Sequence, residues 1–266
     1  MLEFHKIVNI LLKKPWKVLF KEDIFEIIDP EMKKSYQSKV DKTIYNLKSK
    51  WYIYSLKSWV YIVPDEEDKT INKVDIIDKY YLSLVKKYIW SFVWNNYFIS
   101  WKKSLELHLK NYSVPDRIVV INKDLNKKIV VWDYLIIFKT ISWKDEQSKN
   151  RKKINLFSKF SEFTTVKNIE GIDFKISSLE LAIVESAILS DNDEWIPIEL
   201  LSKAIKKYKG ILNPEVFYEI GKYKYIMSFN RLKEISKTLD DQLYMIFLDV
   251  IKKNGWLFIW EWLRWF

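Results

Sequence analysis

The sequence predicts an α+β protein: a helix-and-hairpin module, then a mixed α+β domain that ends in a helical run. Three observations lead there. Apolar residues recur at helical spacing up to Ser49, short alternating strands gather between Tyr52 and Ile141, and from Ser178 onward the period is again helical. Strands collected ahead of a run of helices argue α+β, because a parallel α/β sheet would alternate the two. A chain of 266 residues holds one large core or two modest ones.

Leu2, Ile7, Ile10 and Leu11 lie close to one face of a helix over residues 2–12, which Lys13, Lys14 and Pro15 close. Val18-Leu19-Phe20 is a short apolar run. A second helix, Glu22 to Ile28, is broken by Asp29-Pro30. A third begins near Lys33 and runs to Ser49, with Tyr36, Val40, Ile44 and Leu47 forming one apolar stripe. Two alternating strands, Tyr52–Leu56 and Val60–Val63, are joined by Lys57-Ser58-Trp59. Three helices and a hairpin in this order predict a winged helix-turn-helix, in which the third helix enters the major groove and the hairpin touches the backbone. The outward face of the third helix carries Ser35, Ser38, Lys42 and Tyr45, flanked by Lys39 and Asn46, and the turn carries Lys57 and Ser58. Hydroxyls and an amide suit base edges, and lysines suit phosphates. These residues are the candidate contacts to double-stranded DNA; a winged helix that docks protein instead is the alternative.

This winged-helix domain spans residues 1–64. Pro64-Asp-Glu-Glu-Asp opens an acidic linker, 65–73, and the α+β domain follows over 74–253 with a flexible tail at 254–266. Within that domain a helix is expected at 74–89, strands at 117–121, 128–131 and 134–141, and a polar loop through 142–153. A β stretch near 172–176 leads into a helix at 178–189, and further helices follow at 199–208, 214–222, 228–238 and 240–253.

The charge is uneven. The net +10 divides into +5 over residues 1–64, +6 over 65–153 and −1 over 154–266. Residues 31–58 alone hold seven lysines against Glu31 and Asp41, so half of the excess lies in the third helix and wing. A local basic patch is what phosphate contact requires, since neutralising phosphates releases counterions; a solvated lysine face is the plainer alternative. With no cysteine, a disulfide scaffold, a thiolate metal site and a cysteine nucleophile are all excluded. The N-terminus has Glu3 and His5 inside its apolar stretch and reads as an amphipathic helix, not a signal peptide. The uncharged run from Tyr88 to Trp101 is shorter than a bilayer span of about 20 residues. A cytoplasmic protein without a membrane partner is expected.

The oddest feature is 13 Trp beside 4 Gly. Glycine is ordinarily about 7% of a chain, which here would be about 19 residues. Trp16, Trp51, Trp59, Trp94, Trp101, Trp132, Trp143, Trp195 and Trp256 fall where the chain should turn or cap, positions that call for glycine. The expectation is that UGA codons meaning glycine have been read as Trp. A Trp-rich surface that stacks bases would instead space its indoles along one groove. With glycine restored, the ending GWLFIWEWLRWF changes from an interfacial membrane anchor into a flexible tail.

With glycine restored at the Trp positions, the chain resembles the AbiEi family, antitoxins of abortive-infection type IV toxin–antitoxin systems. The family's G-x-Y wing is matched by Trp59-Val60-Tyr61, closed by Pro64. Its Y-x-I-S-G-x-x-A-L-x-L-H segment is matched by Tyr97, Ile99, Ser100, Trp101, Leu105, Leu107 and His108. Its V-P-x-x-I-x-V segment is matched by Val114, Pro115, Ile118 and Val120, and its S-x-E-x-A-x-x-E/D-A helix by Ser178, Glu180, Ala182, Glu185 and Ala187. Trp at 59 and 101 and Ser104 depart from the pattern. The resemblance implies an autorepressor whose winged helix binds its own operator and whose second domain counteracts a nucleotidyltransferase-like toxin. The alternative is a regulator of a defence locus with no toxin partner.

The residues for catalysis are sparse, and no enzyme, cofactor or metal is expected. The histidines are His5 and His108, the latter better read as packed and hydrogen-bonded than as a base. No phosphate-binding glycine loop, G-x-S-x-G elbow or H-E-x-x-H occurs. A metal-dependent nuclease, the third alternative, needs converging carboxylates. Glu31-Met-Lys33 and Glu67-Asp-Lys69 lie at a helix start and in the linker, and Asp124 and Asp133 read as turn residues.

Overall fold

A computed structural model describes residues 2–14, 17–29, 37–70, 72–144, 153–188, 198–223 and 225–255. The chain divides into an N-terminal unit, Met1–Trp94 with Val130–Leu135, and a C-terminal unit, Asn95–Ile129 with Ile136–Phe266.

The N-terminal unit runs α1 (Phe4–Lys13), β1 (Val18–Phe20), α2 (Lys21–Ile28), α3 (Gln37–Ser49), β2 (Tyr54–Lys57), β3 (Val60–Ile62) and α4 (Lys73–Val93). Its three strands form an antiparallel sheet in the order β1-β3-β2, with Val18 opposite Ile62 and Tyr54 on that residue's other side. The stripe read from the sequence makes the core: Val40, Ile44 and Leu47 of α3 pack with Ile7, Leu11, Ile24 and Ile28. Tyr36, the fourth residue of that stripe, and the expected helix start at Lys33 lie outside the described residues.

The expected linker is not one. Residues Glu66–Thr70 form a 3-10 turn, and Asp68 is buried against the first turns of α4. Asn72 caps that helix by accepting the Val74 and Asp75 N–H groups. At the other end Lys87 pairs with Asp23 at 2.6 Å, and the Tyr88 and Phe20 rings meet at 5.0 Å. The first unit therefore ends at Trp94, well past residue 64.

The C-terminal unit is built on a six-stranded sheet, ordered β10-β11-β4-β5-β7-β6. Its strands are β4 (Tyr97–Ser100), β5 (Arg117–Asn122), β6 (Lys127–Val131), β7 (Tyr134–Thr140), β10 (Thr164–Ile169) and β11 (Ile172–Ser177). The tip of the β6–β7 hairpin, residues 130–135, belongs to the first unit. β4 and β11 run parallel, and each feeds a helix, α5 (Trp101–His108) and α7 (Leu179–Ser186). The helical run follows as α8 (Ile198–Lys207), α9 (Pro214–Gly221), α10 (Ile226–Ser236) and α11 (Asp241–Lys253). Phe247 of α11 packs against Phe217 of α9 and Phe229 of α10, at 5.0 and 6.0 Å.

Three departures from the sequence reading appear here. The loop expected at 142–153 is bounded by two strands that pair with each other, β8 (Ser142–Lys144) and β9 (Lys153–Asn155). Trp143 sits opposite Ile154 in that ladder, so it is a strand residue and not a turn residue. A short helix α6 (Phe157–Phe160) and the strand β10 were not anticipated. The expected tail lies outside the described residues from 256 on, as do Trp16, Trp195 and Trp256.

α9 and α11 approach closely at Gly221, where a Cβ atom would lie 2.6 Å from Val250 Cγ1. Gly221→Ala is expected to destabilise the fold by about 2 kcal/mol, since a packed interior resists an inserted methyl. In a denaturation double-mutant cycle with Val250→Ala, the pair should lose less than the sum of the singles. Additive losses would rule out the clash.

Candidate nucleic-acid interface

α3 presents two unlike faces because its apolar residues recur three and four apart. With Val40, Ile44 and Leu47 buried, Ser38, Lys39, Lys42 and Tyr45 are exposed, Tyr45 by 69%. Asn46 is half-buried at the edge of this face. Ser35 lies outside the described residues. Lys48 and Lys50 extend the exposed basic surface at the C-terminal end of the helix. Asp41, the acid within the helix, pairs with Lys21 of α2 at 2.8 Å, which fixes α2 against α3 and offsets its charge.

The helix is ended by two backbone bonds: the Tyr52 N–H donates to the Leu47 carbonyl at 2.9 Å, and the Trp51 N–H donates to that of Lys48 at 3.1 Å. This is a Schellman motif with Trp51 at its left-handed position, φ 59°. The chain then enters β2 and turns at Ser58 and Trp59, both exposed, before β3. Lys57 is exposed on this turn, but its amine donates to the Val130 carbonyl at 2.6 Å. The phosphate contact expected of Lys57 would have to compete with this internal bond. Sequence reading missed that bond, because its partner is 73 residues away.

Five of the Trp residues flagged as misplaced have positive φ: Trp51 59°, Trp59 69°, Trp94 51°, Trp101 60° and Trp132 55°. Trp94 has ψ −121°, a combination that belongs to the first corner of a type II′ turn and to glycine. Left-handed backbone costs an L-residue roughly 1–2 kcal/mol. Trp51, Trp59 and Trp94 also leave their indoles more than half exposed.

A buried polar cluster lies in the C-terminal unit where the parallel β4 and β11 end, and it includes Ser100, Glu185 and His108. Ser100 and Ser177 both donate to Glu185 Oε2, at 2.5 and 2.8 Å, while Oε1 has no hydrogen-bond partner. Glu185 is buried, and burial pushes its pKa up to about 7 despite those two hydroxyls and the Trp101 N–H. His108 Nε2–H donates to the Ser177 carbonyl at 2.8 Å, and burial lowers the His108 pKa below its ordinary value. This bond holds the ring at the end of α5. Among the described residues, no three His, Asp or Glu side chains group so as to hold a metal ion, and no helix is long and apolar enough to cross a membrane.

The sequence as written matches no family model and no curated protein.

Proposed function

We propose that this chain is a DNA-binding antitoxin: a winged-helix autorepressor of a type IV toxin–antitoxin operon whose second unit counteracts a nucleotidyltransferase-like toxin. The observation that carries the DNA half is the exposed face of α3, where Ser38, Lys39, Lys42 and Tyr45 stand together beside Asn46 with Asp41 neutralised by Lys21. The order α1-β1-α2-α3-β2-β3, with β3 between β1 and β2, is compatible with the helix-and-hairpin order expected of a winged helix and supports the same reading. The antitoxin half rests on the resemblance to the AbiEi family. Its support in the fold is that Ser100 and Ser178 stand at the N-termini of α5 and α7, and that Ser100 and Glu185 meet in one buried polar cluster.

The test is the triple variant Lys42→Ala, Tyr45→Ala, Asn46→Ala, assayed on duplex DNA from upstream of its own coding sequence. Operator affinity should fall about 100-fold or more, since each base contact contributes about 1–3 kcal/mol and each phosphate lysine adds to the salt slope. Neutralisation of a co-expressed toxin from the neighbouring gene should persist. Unchanged DNA affinity, or lost neutralisation with DNA binding intact, would overturn this division of labour.

A further inference from the structure

We infer that the native protein carries glycine, not tryptophan, at positions 51, 59, 94, 101 and 132. Trp is 13 of 266 residues, yet it supplies five of the seven non-glycine residues with positive φ among those described. The five stand in unrelated settings. Trp51 ends a helix, Trp59 and Trp132 turn hairpins, Trp94 reverses the chain after α4, and Trp101 opens α5. The shared property is a backbone that glycine adopts without strain and a bulky L-residue resists. At true glycines the same geometry recurs: Gly171 turns the β10–β11 hairpin at φ 79°, and Gly210 follows α8 at φ 76°.

The backbone also discriminates within the residue type. Trp90 lies inside α4 and Trp143 inside a β ladder, neither with positive φ, so geometry makes no claim on them. A general liking for aromatic residues would not sort Trp by backbone angle; a codon whose meaning was exchanged would. The assignment is independent of the proposed function, because it rests on φ angles alone.

The test is the covalent identity of the protein from its natural source. In a tryptic digest, the peptides spanning residues 51–57, 58–69, 88–102 and 129–139 contain all five positions. Each should have the lower mass of Trp→Gly at the named positions, with UGA at the corresponding codons. Trp masses in those native peptides would overturn the inference. Two synthetic genes give a second measurement, one specifying Trp and one glycine at the five positions. The glycine form should melt higher by at least about 10 °C, given the cost of left-handed Trp at each site. Equal melting temperatures would count against the inference.

Discussion

An Asp68→Ala variant is expected to destabilise the N-terminal unit by about 2 kcal/mol, the cost of a buried donor left short of its acceptor, although the residue lies in an acidic stretch that reads as solvated. Asp68 is 1% exposed. Its Oδ1 accepts the Lys79 amine at 2.6 Å; its Oδ2 accepts the Tyr80 hydroxyl at 2.5 Å and the Asp65 N–H at 2.7 Å. Burial pushes its pKa up, but these three donors outweigh burial and hold the carboxyl below its ordinary range. Tyr80 is pushed far above its own ordinary value, first by burial and then by Asp68. Alanine would take the acceptor from the Asp65 N–H and leave the buried tyrosine hydroxyl only its longer bond to Asp65 Oδ2, at 3.2 Å. An orphaned buried donor costs about 1–3 kcal/mol, and Lys79, being partly exposed, adds less. Hydrogen exchange should reveal the loss as weakened protection of the amides of Ile76 to Leu84. A loss below about 1 kcal/mol would mean that the cluster is incidental. Because the folded carboxyl lies below its unfolded value, its contribution is present above the ordinary carboxylate range and is lost as pH falls through the folded pKa.

That residue also marks the limit of what the sequence made legible. The α3 stripe was readable because Val40, Ile44 and Leu47 recur at helical spacing, and the same spacing placed Lys42 and Tyr45 outward. Asp68 was not readable: four acids in five residues look solvated, and only the packing of α4 brings Lys79 and Tyr80 onto one of them. β10 was missed for a related reason. Its Val166 is exposed by 66% while Ile169 is buried, so an edge strand presents an apolar residue to solvent and blurs the alternation. The Lys57 bond to Val130 depends on a hairpin tip that joins the first unit from far along the chain, and no local pattern announces it. Trp51, Trp59, Trp94, Trp101 and Trp132 were legible for the opposite reason, since a turn is a local event and its residue preferences are visible without tertiary context. Trp143 was misread because its strand pairing is not local.

Replacing Glu185 with Gln should raise stability at pH 8 and remove a pH dependence that the native chain carries. The carboxyl has a pKa near 4.5 when unfolded and about 7 when folded. Burial sets the direction, and the unpartnered Oε1 explains why the hydrogen bonds from Ser100 and Ser177, both to Oε2, do not cancel it. Between those two values the folded state keeps a proton that the unfolded state has released, so stability falls as pH rises across that window. At about 1.4 kcal/mol per unit, the loss is about 3 kcal/mol and is complete once pH exceeds the folded value. Glutamine has the same shape without the charge, and the two serine hydroxyls can still reach its carbonyl oxygen. Urea denaturation at pH 5 and pH 8 separates the possibilities. The native chain should lose stability between them relative to Glu185→Gln, and the variant should be the more stable of the two at pH 8. Parallel curves for both proteins would show instead that Glu185 stays ionised in the fold. The cluster at the ends of β4 and β11 would then hold a charge and not a neutral acid.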